Sequence, residues 1–348
     1  MTPRLVTLRG QLVALAIGLV GGLAAYRIGM PLPFMLGAMV FVTIAAMIRV
    51  PVEAPATLRK IMVPILGVML GSGFHPGLFD HVNDWLLTFA VLPFFVGTAF
   101  AGAFAFYRFV GKYDMVTAYF ASAPGGLNDM MILGGEAGGD ERRIALAHAS
   151  RIFIVVTGVV FFYAFVLDVR TTGSSRPYLG FSAVSLRDLG ILLACAVVGA
   201  TLAPRLRLPA PQILGPMILS ALVHLTGFSQ TPPPTPAVNA AQLVIGTVVG
   251  CRFAGAALRE VVHDLALALG ASTAMLSVAL VSAFAIQALT NTEADAAFLA
   301  FSPGGLPEMS LLALSLDADV AYVATMHIIR ITIVIAMAPI VFRLFGKR

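Results

Sequence analysis

The sequence predicts an all-α integral membrane protein of about ten transmembrane helices plus two broken, re-entrant segments, arranged as two inverted repeats. Three observations predict it. Of the 348 residues, 59% are hydrophobic and 11% charged, whereas a soluble domain carries roughly 25% charged residues. Apolar runs recur from end to end near the roughly 20-residue length that crosses a bilayer as a helix, without the alternating strands of a membrane barrel. Landmarks of the first half also return in the second at a nearly constant spacing.

Taken in order, the apolar segments of the first half run over 10–26, 33–48, 61–74, 85–106, 115–134 and 143–167. A polar connector follows. The second series runs over 188–204, 211–227, 238–254, 264–288, 296–315 and 320–342, so the chain reads as a first membrane repeat at 1–170, a connector at 171–187 and a second membrane repeat at 188–348. Arg4 and Arg9 before the apolar run from Gln11 to Tyr26 imitate a secretory signal, but the counterpart of this run is internal in the second half, so it counts as structure. Cys195 and Cys251 sit in apolar segments far from any partner at metal-ligand spacing and read as packing residues.

The repeat is close to gapless, and such internal periodicity fixes the architecture before any local feature does. Pro31, Pro33 and Gly37 match Pro209, Pro211 and Gly215 at an offset of 178, and later landmarks match at 179. Gly67, Gly71 and Phe74 fall on Gly246, Gly250 and Phe253. Pro124, Gly125, Gly126, Leu127, Asp129 and Met130 fall on Pro303, Gly304, Gly305, Leu306, Glu308 and Met309; His148 and Arg151 fall on His327 and Arg330.

Charge decides between parallel and inverted copies. If all six segments of each half crossed, the loop around Gln230 would be cytoplasmic without a basic residue, and Arg205, Arg207 and Arg259 would lie outside, against the positive-inside bias. If each Pro-Gly-Gly segment enters and leaves on one side, only Arg27, Arg170, Arg176 and Arg187 lie outside. Arg151 and Arg330 are then within the membrane, and every other basic residue is cytoplasmic. This arrangement places both termini in the cytoplasm. The net charge of +5 therefore reads as topology, and neither nucleic acid nor a DNA-binding domain is expected.

Chemistry concentrates at the duplicated break. Proline removes a helix hydrogen bond and paired glycines favour an irregular backbone, which hydrocarbon tolerates only where protein or trapped water satisfies the freed groups. A helix restarting at Leu127 or Leu306 points bare N–H groups and the positive end of its dipole into that space, where an anion is favoured. Gly125, Gly126, Asn128, Gly304 and Gly305 are thus expected to bind substrate, together with Arg151 and Arg330. Asp129 and Glu308 fall in the first turn of the restarted helix. Two readings stand for them: compensation of the dipole, or carriage of a coupling proton or cation. Asn128 is replaced by Pro307, so the two copies cannot offer the same hydrogen bonds.

In His148-x-x-Arg151 and His327-x-x-Arg330 the two side chains share a helix face. Arg151 lies roughly 12 Å of helix beyond Arg143, too deep to snorkel easily, so a buried partner is expected, with Asp129 and Glu308 the obvious carboxylates. A structural salt bridge and a bidentate grip on a substrate carboxylate are both open, as are a hydrogen-bonded and a proton-relaying histidine. Gly67-x3-Gly71 and Gly246-x3-Gly250 suit close helix packing. His75, Asp80, His81 and Asp84 could weakly hold a surface metal; their repeat counterparts include Glu260 and His263, which the inverted arrangement places across the membrane, so the two clusters cannot form one centre. No nucleotide fingerprint or nucleophile motif occurs, so no catalytic residue, metal or cofactor is expected.

The two Pro-Gly-Gly-Leu-x-[Asp/Glu]-Met copies, the paired His-x-x-Arg and the paired Pro-x-Pro-x-x-Leu-Gly resemble the duplicated AbrB-type bacterial membrane protein family, over essentially the whole chain. The resemblance implies a transporter-type inverted-repeat protein of the bacterial inner membrane. Members are often labelled ammonia monooxygenase or regulator of gene expression, and the family is distinct from the small DNA-binding regulator of the same name. The oxygenase label would need His148, His327, Asp129 and Glu308 to gather around a metal. The expectation is a secondary transporter of a small organic anion by alternating access, coupled to a proton or cation through Asp129, Glu308, His148 and His327. A membrane sensor that binds without transport is the alternative. The partners are the anion, the coupling ion and the bilayer, with association into a homo-oligomer left open.

Overall fold

The computed structural model describes residues 3–75, 77, 82–163, 178–256, 258–316 and 318–345. Among them the chain is helical throughout, with fourteen α-helices and no strand. In the first half these are α1 (Pro3–Arg27), α2 (Pro33–Met47), α3 (Ala56–Gly71), α4 (Val82–Ala105), α5 (Met115–Ser122), α6 (Leu127–Glu136) and α7 (Glu141–Phe161). In the second they are α8 (Leu186–Arg205), α9 (Pro211–Leu225), α10 (Thr235–Gly250), α11 (Leu258–Leu289), α12 (Ala294–Phe301), α13 (Leu306–Ser315) and α14 (Val320–Phe345). Every helix of one half has its counterpart in the other.

Six described helices, α1, α4, α7, α8, α11 and α14, are long and apolar enough to cross a membrane. The helices α2, α3, α9 and α10 have 15 or 16 residues, about 24 Å of helix against a hydrocarbon thickness of about 30 Å. The two apolar segments that contain Pro-Gly-Gly are each split. At 115–134 the helix stops at Ser122 and restarts at Leu127; at 296–315 it stops at Phe301 and restarts at Leu306. The eight-residue α5 and α12 reach only about 12 Å each. Proline explains the stop, because Pro124 and Pro303 cannot donate to the preceding turn.

The chain gathers into two compact units that cut across the sequence repeats. The first unit contains α1, α2, α3, α8, α9, α10 and residues 310–315 of α13. The second contains α4 to α7, α11, α12, the first turn of α13 and α14 from Tyr322 onward. Each unit therefore takes equivalent helices from both halves.

Inside the first unit the halves are laced together by reciprocal glycine contacts. A Cβ on Gly67 of α3 would strike the Ile213 carbonyl of α9, and one on Gly246 of α10 would strike the Met35 carbonyl of α2, its repeat equivalent. One turn on, a Cβ on Gly71 would lie 2.6 Å from Ser220 Cβ and one on Gly250 2.7 Å from Val42 Cβ. Gly21 with Gly37, and Gly199 with Gly215, bring α1 against α2 and α8 against α9 in the same manner. Small residues let backbones approach where lipid supplies no hydrophobic drive for helices to associate. Gly246→Ala is expected to destabilise the protein by roughly 1–3 kcal/mol, since the methyl meets backbone rather than a movable side chain. Gly97→Ala in α4, with open space around it, should be neutral or stabilise by up to about 1 kcal/mol. Denaturant unfolding in micelles distinguishes them, and equal midpoints would refute the packing argument.

Within the second unit, Tyr119, Phe120, Ala123, Met130, Ile144, Val334 and Ala338 form one apolar cluster around the first break. Tyr322 joins α14 to α4 through a 2.9 Å hydrogen bond with Thr88 and edge contact with Trp85 at 5.7 Å. Tyr119 donates to the Ala338 carbonyl at 2.8 Å, fixing α5 to α14.

Candidate functional site

All residues expected at the duplicated break fall in the second unit. Asp114 begins the first copy as N-cap of α5, accepting from the Thr117 amide at 2.9 Å. Burial raises the carboxyl's pKa, but hydrogen bonds from Thr117 and neighbouring amides outweigh it, so the group sits below its ordinary value of 3.8. A depressed carboxyl adds stability above its unfolded pKa and loses it as pH falls through the folded one. Asp114→Ala should therefore cost about 1 kcal/mol at neutral pH, with the difference closing at pH below 3.8; unfolding at the two pH values checks this.

At the break, Ala123 and Ser302 are extended, with φ,ψ of −61°,124° and −56°,133°. None of Gly125, Gly126, Gly304 and Gly305 takes a positive φ, so conformational freedom is not what these glycines supply. They supply space. A Cβ on Gly125 would lie 2.6 Å from Val334 Cγ1, and one on Gly304 2.7 Å from Met309 Cε. A Cβ on Gly126 would overlap the Asp129 carboxylate, and one on Gly305 the Glu308 carboxylate. Each acid therefore folds back over the glycine that starts its own helix, the N3-to-N-cap disposition of a capping box, at the positive end of the helix dipole. The copies differ in burial: Asp129 and Asn128 are exposed, Glu308 is buried.

The four His and Arg side chains are buried, with exposures of 0% for His148 and His327, 4% for Arg151 and 1% for Arg330. Arg151 Nη2 donates to His148 Nδ1 at 2.9 Å, and Arg330 Nη2 to His327 Nδ1 at 2.9 Å. Because arginine can only donate, Nδ1 must accept, which leaves the ring proton on Nε2. That Nε2–H donates to the Phe120 carbonyl at 2.8 Å in one copy and to Leu299 at 2.9 Å in the other. Arg151 Nη1 donates to the Ala123 carbonyl at 2.9 Å. Arg330 makes more bonds, from Nη1 to Ser302 at 2.6 Å and Phe301 at 3.3 Å, and from Nη2 to Gly304 at 2.9 Å.

These contacts correct one expectation. The hydrogen bonds of Arg151 and Arg330 go to backbone carbonyls and to their own histidines, not to Asp129 and Glu308. A helix that stops in an apolar environment leaves its last carbonyls without partners, and a cation at that end also meets the negative end of the dipole. The arginine and histidine thus close the first half-helix, while the acid covers the start of the second. Carbonyls carry no residue signature, so the sequence offered no signal for Phe120, Ala123, Leu299, Ser302 and Gly304 as partners.

One group on each arginine is left over. Nε of Arg151 and Nε of Arg330 are buried without a hydrogen-bond acceptor among the described residues, and the two guanidinium groups lie within electrostatic reach of each other. The buried setting leaves these two N–H donors unused. It does not fit a metal centre: both ring nitrogens of His148 and His327 are already engaged, and no three His, Cys, Asp or Glu among the described residues gather closely enough to hold an ion. Asp80 and His81 lie outside the described residues.

A model of the family described as transition state regulatory protein AbrB matches residues 34–346. The protein named "Uncharacterized protein YhjN" of Bacillus subtilis (strain 168) is 26% identical over 352 residues, covering 95% of this chain and 91% of the relative. The protein named "Putative regulator AbrB" of Escherichia coli (strain K12) is 24% identical over 338 residues, covering 96% of this chain and 95% of the relative.

Proposed function

The chain belongs to the AbrB family, and from that premise we propose that it is a secondary transporter of a small organic anion working by alternating access. The observation that carries the reading is the pair of buried arginines, each with Nη groups clamped by carbonyls and histidine and with Nε–H left to donate. A substrate carboxylate accepting from Nε would relieve the repulsion between two cations held in a site of low dielectric. Gly125, Gly126, Asn128, Gly304 and Gly305 border the same break and shape the approach of the substrate. His148 and His327 hold the arginines in orientation, and a relayed proton would have to displace one of their two hydrogen bonds.

Coupling follows from the position of the acids. Asp129 and Glu308 occupy the helix starts at which an anion would be stabilised, and two negative groups cannot share one such end without repulsion. Protonation of the buried Glu308 would free its helix start, linking anion binding to proton uptake. In this reading the protein sits in the bacterial inner membrane as inverted repeats of ten spans and two re-entrant segments, with both termini cytoplasmic.

Counterflow in proteoliposomes tests the proposal with a panel of radiolabelled mono- and dicarboxylates. At least one is expected to exchange, and Arg151→Gln is expected to slow exchange more than tenfold, about 1.4 kcal/mol or more in the barrier. No exchange with any carboxylate, or unchanged exchange by the folded variant, would end the proposal. The name of the Escherichia coli relative favours a second reading, a membrane regulator, which expects binding of the same anions without counterflow.

A further inference from the structure

The first unit holds a cavity of 640 Å³ that the transport reading does not use. Its wall is largely apolar, with the Tyr26 and Phe34 rings and several prolines, and its described lining residues carry no charge. Into this wall one face of α10 brings Thr235, Asn239 and Gln242, at the i, i+4 and i+7 positions that share a helix face. Thr235 is already engaged, its hydroxyl accepting from the Leu179 amide at 2.9 Å. Gln242 is only 6% exposed, and its side-chain carbonyl oxygen accepts no hydrogen bond among the described residues.

The duplication supplies a control for that glutamine. At the offset of 179, Gln242 corresponds to Val63 of α3, and Thr235 to Ala56. Val63 is buried at 8% exposure, so helix packing at this register is satisfied by an apolar side chain. The second copy instead carries a buried amide, and buried polar atoms ordinarily find a partner. Leu32 in the same wall adopts the left-handed φ of 47°, which its repeat equivalent Ala210 shares at 44°, so that turn belongs to both copies and Gln242 is what sets this wall apart.

We infer that this cavity binds a small uncharged organic molecule with a flat apolar body and an N–H or O–H donor, which Gln242 accepts. The absence of charge on the described wall selects against ions, the rings and prolines favour a planar body, and the buried oxygen selects a donor. None of these residues belongs to the broken-helix site, so the assignment stands or falls separately from transport.

Isothermal titration of the full chain in nanodiscs with indole and with 1-methylindole tests it, since the two differ chiefly in the N–H donor. Indole is expected to bind about tenfold more tightly, the worth of one hydrogen bond to a buried acceptor. In Gln242→Leu, indole should fall to the affinity of 1-methylindole, which itself stays unchanged; the near-isosteric Gln242→Met serves if the first variant does not fold. Equal affinities in the wild type, a preference that survives both substitutions, or no heat from either compound because lipid fills the cavity would each overturn the assignment.

Discussion

Arg330→Met will unfold at markedly lower denaturant than the wild type, by roughly 3–5 kcal/mol, the range for removing one partner from a buried charged network. Methionine fills the stem only as far as the arginine Nε and carries no donor. The Ser302, Phe301 and Gly304 carbonyls and His327 Nδ1 are then left in a buried site, and each stranded acceptor costs about 1–3 kcal/mol before relaxation. Arg151→Met strands fewer, the Ala123 carbonyl and His148 Nδ1, and should lose about half as much. The ordering is the sharp part of the prediction. Equal losses would mean that burial of the charge, not closure of the half-helix, sets the cost. His327→Leu combined with Arg330→Met should be less than additive, because the two side chains share a bond.

On the proposed transport mechanism, Glu308→Gln will remove the dependence of transport on a pH gradient while leaving counterflow intact. The amide imitates the protonated carboxyl, so the helix start at Gly305 no longer holds a negative charge, and anion binding loses its linkage to protons. In the wild type, affinity for the anion should rise as pH falls; in the variant it should be flat, with gradient-driven uptake reduced by more than tenfold, or about 1.4 kcal/mol. Asp129→Asn should change uptake less than about twofold, because Asp129 is exposed and its charge is screened by solvent. Gradient-driven uptake by Glu308→Gln at the wild-type rate would show that the acid serves only to cap its helix.

Much of the site was legible in the chain because its signals are local and doubled. Pro124 and Pro303 stop a helix wherever it is packed, and the offset of 179 ties each break to a His-x-x-Arg. The burial of Arg151 also followed from its distance along the helix from Arg143, and that of Arg330 from the repeat. Their partners did not, because the only counter-charges visible in a sequence are carboxylates, whereas these cations are held by carbonyls. The glycines were legible as a position but not as a mechanism. Their φ values are ordinary, and what they avoid is collision with Val334, Met309 and the returning carboxylates. Gln242 was visible only by comparison with Val63, and nothing marked it as part of a cavity.

The sequence by itself determined the helical class, the duplication, the two breaks and the residues bordering them, since hydropathy, proline and repeat spacing act through neighbours along the chain. Only the tertiary structure decided that the compact units cut across the repeats, with α3 on α9 and α10 on α2, and that each arginine closes the helix its own repeat breaks. Both depend on which backbones approach closely enough to need glycine and which carbonyls are left open, and such contacts are set by packing in three dimensions.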